Sequence, residues 1–315
     1  MKTVAAQIPL WATRSLIAAF LCVPAGIAQG GLIITPVFTS AITSLPNAAQ
    51  VENAINYSIA QYESLFSNPI HVKVEFSANS SVNVIGKALQ VDAYSYDQVR
   101  TALQTVHAAG SNTLGAISPV SGTFYLPFAQ EKTLNLIPDG SQFSDFGVGF
   151  STNFTYTFDP LNRAVPGAYD FIGLMDYEIS VGLGREQFLG STNFPGPAYT
   201  PFDLFRYFSA GVRSLSDTTG AYFSLDAGTT ILKTFRSGVG LGKNNPDWIA
   251  GPDAFAIPQT GVQNDITPVD IKVMNALGYT SVPEPTTLAL CVIAAMGWFV
   301  FRQARVVAID DGSLS

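Results

Sequence analysis

One stretch constrains the fold of this chain more than any other, the apolar run at residues 168–185, which reads AYDFIGLMDYEISVGLGR. Within it Ile172, Met175, Ile179 and Leu183 recur at three- and four-residue steps, a spacing that predicts one apolar stripe along an α-helix. Two glycines close the run, as glycine does where a helix stops and the chain turns. The sequence therefore predicts a central helix, and the rest of the chain is interpreted around it.

A second face of the same helix carries the residues that bear on function. Tyr177, Glu178 and Val181 lie there, one turn apart. Zinc proteases use such a helix with the pattern His-Glu-x-x-His, in which two histidines bind the metal and the glutamate between them acts as a base. In this chain the glutamate is present as Glu178, and the two histidine positions hold tyrosine and valine.

Further motifs surround this helix and together resemble a known family. They are VGFS at 148–151, YTFDP at 156–160, RAVPGAYDFIG at 163–173, LFRY at 204–207, YFSLDAG at 222–228 and DIKVMNALGY at 270–279. This combination resembles exported, zincin-like metalloproteases that carry a PEP-type C-terminal sorting signal, and the resemblance covers most of residues 32–280. It implies an α+β, zincin-like fold, in which a twisted mixed sheet packs on helices around a central active-site-type helix.

The resemblance also assigns roles to single positions. In that family the active helix reads like His-Glu-Ile-Ser-Glu, followed by an apolar pair and Gly-Arg. Laid on this chain, the first metal ligand falls on Tyr177, the base on Glu178, the second ligand on Val181 and a third ligand on Gln187.

None of the three ligand positions holds a good zinc ligand. Valine has no lone pair, and tyrosine loses its proton only near pH ~10. A glutamine carbonyl is a weak ligand for zinc, which prefers imidazole, thiolate and carboxylate. We therefore expect no metal cofactor and only a vestigial role for Glu178 as a base.

The N-terminus predicts export. Lys2 and Arg14 precede the apolar run at 16–23, and small residues follow at Gly26 and Ala28. This is the pattern of a secretory signal peptide, and we predict residues 1–28 to be that signal, with cleavage after Ala28. A retained N-terminal anchor is the alternative.

The C-terminus predicts sorting at the cell envelope. Pro283, Glu284 and Pro285 precede an apolar stretch at 286–301, and two arginines follow, Arg302 and Arg305. An apolar stretch of this length can just span a membrane, with the arginines on the cytoplasmic side. The pattern resembles the C-terminal sorting signal of Gram-negative envelope and exopolysaccharide-associated proteins, which an exosortase-type enzyme recognises.

These two ends divide the chain into segments. We predict a zincin-like domain at 29–281, a sorting signal with a transmembrane helix at 282–305 and a short tail at 306–315. The resemblance implies export through the inner membrane of a Gram-negative bacterium and a temporary membrane anchor, followed by release into the envelope or the extracellular matrix, where a polysaccharide is a candidate partner. A permanent single-span anchor is the alternative.

Composition excludes several classes of function. The net charge is −7, whereas nucleic-acid binding requires a basic face. Both cysteines, Cys22 and Cys291, lie outside residues 29–281, which rules out a disulfide, a thiolate zinc site or a cysteine nucleophile in that domain. The two histidines, His71 and His107, are predicted to be a solvated strand residue and a helix C-terminal residue.

Periodicity predicts most of the remaining elements. We expect strands at 32–37, 70–76 and 82–92, helices at 46–66, 96–107 and 268–277, and a hairpin at 221–235. Thr267 is expected to cap the last helix, and Asp247 and Asp253 to cap turns. The region 110–163 is expected to be looser, and by resemblance its part at 148–158 is the edge strand that lines the substrate cleft.

Three functions remain open at this point. The first is a metal-free, non-hydrolytic member of the zincin-like class that binds or scaffolds. The second is an active zinc metallopeptidase whose ligands are Tyr177 and carboxylates such as Asp176, Glu186 or Asp203. The third is an adhesive matrix protein without protease ancestry, which an exposed Glu178 would favour.

Overall fold

The computed structural model describes residues 31–80, 86–140, 143–215, 220–236, 246–249 and 251–283, without the side chains of 86–89. The chain divides into two compact units, residues 1–280 and 281–315. The predicted signal peptide lies outside the described residues. So do Glu284, Pro285, Arg302 and Arg305 of the predicted sorting signal and the tail at 306–315, whereas Pro283 is exposed and outside any helix or strand.

The predicted fold is wrong in one component, the C-terminal transmembrane helix. No helix in the part of the chain that the structure describes is long and apolar enough to cross a membrane. The apolar stretch at 286–301, for which that helix was predicted, lies outside the described residues. The described chain is an α+β fold with mixed sheets.

Six α-helices are described in residues 31–280. They are α1 Ser40–Thr43, α2 Ala48–Leu65, α3 Tyr96–Thr105, α4 Phe128–Thr133, α5 Phe171–Gly182 and α6 Pro268–Ala276. The described strands are β1 Ile33–Phe38, β2 His71–Asn79, β3 Gly86–Leu89, β4 Val91–Tyr94, β5 Thr123–Pro127, β6 Phe146–Ser151, β7 Tyr156–Thr157, β8 Tyr169–Asp170, β9 Ala198–Tyr199, β10 Arg206–Ser209, β11 Val212–Arg213, β12 Tyr222–Phe223 and β13 Lys233–Thr234.

The main sheet is mixed and has the order β1-β2-β6-β3. Strand β2 alternates as its sequence predicts, with Val72, Val74 and Phe76 buried. Strands β1, β2 and β6 are parallel, and β3 is antiparallel to β6. Because β6 pairs with β2 on one side and, from Phe146 to Gly149, with β3 on the other, the prediction of a cleft-lining edge strand at 148–158 is wrong for Val148 and Gly149.

Helix α5 is the central helix that the sequence predicts, but it is buried on every face rather than along one stripe. Of its twelve residues only Tyr177 is half-exposed. Helix α2, which buries Val51, Ile55 and Ile59, packs against it. The Tyr62 hydroxyl of α2 donates a hydrogen bond of 2.6 Å to the backbone carbonyl of Asp176. This burial places α5 in the interior of the domain, although it includes Asp176, Glu178 and Ser180 beside the apolar residues.

Two smaller sheets complete the described fold. One has the order β11-β10-β12-β13 and is antiparallel, which confirms the predicted hairpin at 221–235 through the β12–β13 pair. The other has the order β4-β5-β9, and β9 is its edge strand. Strands β7 and β8 form a short parallel pair that leads into α5.

The last helix confirms its predicted ends. The Thr267 hydroxyl accepts the backbone N–H of Asp270, whose carboxylate accepts the N–H of Thr267, and Gly278 turns the chain with a φ of 106°. In contrast, the region 110–163 is more ordered than predicted, because it contains β5 and α4. His107 lies just beyond α3, with a φ of 54°, rather than in its last turn.

Candidate functional site

Two glycines bring α5 closer to its neighbours than any side chain would allow. An added Cβ at Gly182 would lie 2.2 Å from the Phe146 ring of β6. An added Cβ at Gly173 would lie 2.6 Å from the Cβ of Asn264. Real Cβ contacts are never this short, so both positions require glycine for packing. Gly182 is thus the last helical residue and a contact to β6, and Gly184, with a φ of 116°, makes the turn that follows.

The turn at Gly184 places Arg185 against the last turn of α5. The backbone N–H of Arg185 bonds to the carbonyl of Ser180 at 3.0 Å, and its Nε donates to the Ser180 hydroxyl at 2.7 Å. The side chain is completely buried. Its guanidinium lies 4.4 Å from the ring centroids of both Tyr177 and Phe255. Two aromatic faces therefore meet a buried cation.

Asp247 supplies the negative charge of this cluster. Its Oδ1 accepts a hydrogen bond of 2.7 Å from the Tyr177 hydroxyl and a longer one of 3.4 Å from Arg185 Nη1. Asp247 is buried, and it comes from a loop that the sequence separates from α5 by more than sixty residues. Together Tyr177, Arg185, Phe255 and Asp247 form what we call the Tyr–Arg–Asp cluster.

The cluster makes Tyr177 a poor ligand for a cation. Burial raises the pKa of Tyr177 well above its ordinary value, and the negative charge of Asp247 raises it further. The phenol therefore keeps its proton and donates a hydrogen bond to Asp247. The adjacent guanidinium adds a positive charge beside the position where the resemblance places the first metal ligand.

The other two ligand positions are also parts of the packed interior. Val181 is completely buried and offers no donor atom. Gln187 is 1% exposed, and its side-chain carbonyl accepts a hydrogen bond of 3.3 Å from Arg206 Nη1. A second guanidinium thus engages the oxygen of Gln187 that would have to bind a metal.

Glu178 is buried, with 5% of its surface exposed. It does not point into solvent, the arrangement that would have favoured the adhesive-protein hypothesis. Its charge adds to those that raise the pKa of Tyr177, so it lies near the Tyr–Arg–Asp cluster.

The carboxylates considered as substitute ligands are engaged in separate places. Asp176 accepts hydrogen bonds from Ser58 and from Gln61 of α2. Asp203 accepts the backbone N–H of Thr200 at 2.7 Å. Glu186 accepts the N–H of Gln187 at 3.0 Å. Among the described residues, no three His, Cys, Asp or Glu side chains are grouped so that they could hold a metal ion.

Asp176 belongs to a second buried charged group. Its carboxylate lies 4.0 Å from Arg163 Nη2, which pairs with Asp170 at 2.7 Å. Burial nonetheless raises the pKa of Asp176 to about 7, against the lowering effects of the Ser58 hydrogen bond and of Arg163. This group connects α2, the start of α5 and the 264–265 segment through Arg163, which also bonds to the carbonyl of Asn264.

Sequence reasoning did not identify Arg185, Asp247 and Arg163 as the residues that organise this region. Arg185 was visible as the arginine of a Gly-Arg pair after the helix, but nothing in its sequence neighbours indicates Asp247 as its partner. Asp247 was expected to cap a turn. Asp253, expected to do the same, does accept the N–H of Phe255 at 3.0 Å, but it is also buried and paired with Lys233 at 3.1 Å.

Comparisons with protein-family models, with curated proteins and with solved structures found no match for this chain.

Proposed function

We propose that this chain is a non-hydrolytic binding or structural protein of the cell envelope or extracellular matrix. In this proposal a helix of zinc-protease type has become part of the structural core. The observation that carries the proposal is the buried Arg185 guanidinium, which lies between Tyr177 and Phe255 and is bonded to Asp247.

Electrostatics supports this reading. A divalent cation at the Tyr177 position would have to sit beside the Arg185 guanidinium in a buried, low-dielectric site, where like charges repel strongly. It would also have to displace the hydroxyl proton of Tyr177 and so break the hydrogen bond from Tyr177 to Asp247. A catalytic zinc site needs three protein ligands and an open water position, and the chemistry of Tyr177, Val181 and Gln187 does not fit that requirement.

Packing supports it as well. Apart from Tyr177, which is half-buried, every residue of α5 is buried, so the helix does not line an open cleft along its length. A glutamate base in peptide hydrolysis requires an activated water and room for a substrate. In this proposal Glu178 and its helix have a structural role only.

The test is the metal content and peptidase activity of the purified full-length chain, produced with zinc in the medium. We expect less than stoichiometric zinc and no cleavage of a denatured casein substrate. The proposal fails if zinc is present at one equivalent and if Tyr177→Phe and Glu178→Gln each remove hydrolysis. Ser64→Ala, on the exposed side of α2, is the matched control and should leave any activity unchanged.

A further inference from the structure

A cavity of about 500 Å³ shares no lining residue with the Tyr–Arg–Asp cluster. It is lined by residues 189–192 and 194–197 of the loop after α5, by the edge strand β9 and by Leu215. Small-molecule sites usually fall in the range of ~300–1,000 Å³. The cavity therefore has room for a short segment of a chain-like ligand.

The lining residues that the structure describes are uncharged, because none of them is Asp, Glu, Lys, Arg or His. The lining presents two aromatic rings, Phe194 and Tyr199, and two aliphatic hydroxyls, Ser191 and Thr192. A carboxylate, phosphate or ammonium ligand would lose its hydration there without meeting an opposite charge. The lining is thus complementary to a neutral ligand that has both apolar faces and hydroxyl groups.

The two aromatic rings of the lining pack against other aromatic rings of the fold. The Phe194 ring stacks on Tyr125 of β5 with 4.1 Å between centroids and an angle of 28°, and it packs on Phe188 at 4.8 Å. Tyr199 packs on Phe124 at 5.7 Å. Phe194 and Tyr199 remain only half-buried. A supported ring with an accessible surface loses little side-chain freedom when a flat ligand packs against it.

The two hydroxyl groups of the lining can form further hydrogen bonds. Ser191 Oγ accepts the N–H of Asn193 at 3.3 Å, and its own proton has no acceptor in the described part of the chain. The Thr192 side chain is exposed. These hydroxyls can each donate and accept a hydrogen bond.

We propose that this cavity binds a segment of a neutral polysaccharide. A pyranose ring has an apolar C–H face, which suits Phe194, and a rim of hydroxyls, which suits Ser191 and Thr192. The inference rests on the proposed function and names the ligand class of a non-catalytic matrix protein. A proline-rich peptide also prefers aromatic surfaces, but it has no hydroxyl rim for the serine and threonine, and its binding is an outcome of the test.

Isothermal titration of the purified full-length chain with defined probes tests the proposal. The neutral probes are cellohexaose, maltohexaose and mannohexaose. An oligogalacturonate of similar length and a polyproline peptide are the competitors from other chemical classes. We expect at least one neutral hexasaccharide to bind, and Phe194→Ala to weaken that binding at least about tenfold.

Two further variants make the result specific. Phe194→Leu retains apolar volume without an aromatic face, and it should bind as weakly as Phe194→Ala. Phe143→Ala removes a phenylalanine that is 75% exposed and does not line the cavity, and it should bind like the unchanged chain. If Phe194→Ala lowers the unfolding temperature, the double variant Ser191→Ala, Thr192→Val replaces it and should also weaken binding.

The proposal is overturned if no neutral hexasaccharide binds at millimolar concentration, if the acidic oligosaccharide or the polyproline peptide is preferred, or if the Phe194 variants bind as the unchanged chain does. None of these readouts involves metal or hydrolysis. A failure here therefore leaves the non-hydrolytic role standing, and zinc-dependent cleavage would refute that role without bearing on the cavity.

Discussion

At the scale of one residue, Asp176 shows how burial changes the pKa of a carboxylate. Its two oxygens accept hydrogen bonds from Ser58 and Gln61, and Arg163 lies 4.0 Å away. Burial still outweighs these contacts and raises its pKa from the ordinary 3.8 to about 7. The native state therefore holds a proton at Asp176 over a pH range in which the unfolded chain has released it.

The sign of the pH dependence follows from this raised pKa. Between about pH 4 and about pH 7, raising the pH favours the unfolded state at this residue, by up to about 1.4 kcal/mol per pH unit. Asp176→Asn cannot ionise and keeps a carbonyl for the Ser58 hydroxyl. We expect the free energy of unfolding of the variant, relative to the unchanged chain, to rise from about pH 5 to about pH 7, measured by urea denaturation.

A matched control is Asp97→Asn, because the Asp97 side chain is 73% exposed and forms an ion pair with Arg100 at 3.5 Å on the surface of α3. The free energy of unfolding of this variant should match that of the unchanged chain at both pH values. Parallel curves for Asp176→Asn and the unchanged chain would show that Asp176 is ionised in the folded state at neutral pH.

The central helix shows what close packing requires at the scale of one element. Alanine has the higher intrinsic helix propensity, by about 1 kcal/mol over glycine. At Gly182, however, its Cβ would lie 2.2 Å from the Phe146 ring. We expect Gly182→Ala to lower the free energy of unfolding by about 1–3 kcal/mol, because a packed core accommodates an added methyl only by moving its neighbours.

Thermal or chemical unfolding measures this change. Gly115→Ala is the control, because an added Cβ at Gly115 meets nothing within 4 Å. It should leave stability within about 0.5 kcal/mol of the unchanged chain. A gain in stability at Gly182 would mean that β6 does not pack against α5 as described.

Elements with strong periodicity or caps could be predicted from the sequence, and short polar ones could not. Helix α2 is visible in its apolar stripe, and α6 in its capping residues. Helix α4 is only six residues long, FAQEKT, and buries Gln130, Glu131 and Lys132. Its burial depends on partners elsewhere, such as the Lys132–Asp145 pair at 2.7 Å, so its own sequence shows no apolar pattern.

The same limit applies to the site at the scale of the whole molecule. The sequence indicates the helix, Glu178 and the absence of imidazole ligands. It does not indicate that Arg185 meets Asp247 across 62 positions, or that Arg163 meets Asp265 across 102. Such pairs depend on how separate segments fold together, and periodicity along one segment contains no information about them.

The fold as a whole is expected to be independent of metal. Its described core is apolar and is crossed by buried pairs such as Lys132–Asp145, Arg163–Asp170 and Arg185–Asp247. A bound ion that stabilised the native state would raise the unfolding temperature, and removing the ion would lower it. We therefore expect the same unfolding temperature for the full-length chain with and without EDTA, by differential scanning calorimetry.

The control for this measurement is a sodium sulfate buffer of the same ionic strength, which removes the general effect of salt on charged groups. An unfolding temperature that falls in EDTA and is restored by adding zinc would indicate a structural metal and would contradict the expectation.

The burial of Arg185 also determines how easily this chain could acquire a metal site by mutation. Exchanging Tyr177 for histidine alone would remove the phenol from Asp247 and one of the two rings that flank the guanidinium, while the positive charge stayed in place. Exchanging Arg185 alone would leave Asp247 buried without its cation. Each of these single exchanges is thus expected to give a less stable protein, so the cluster opposes the acquisition of a metal site by single mutations.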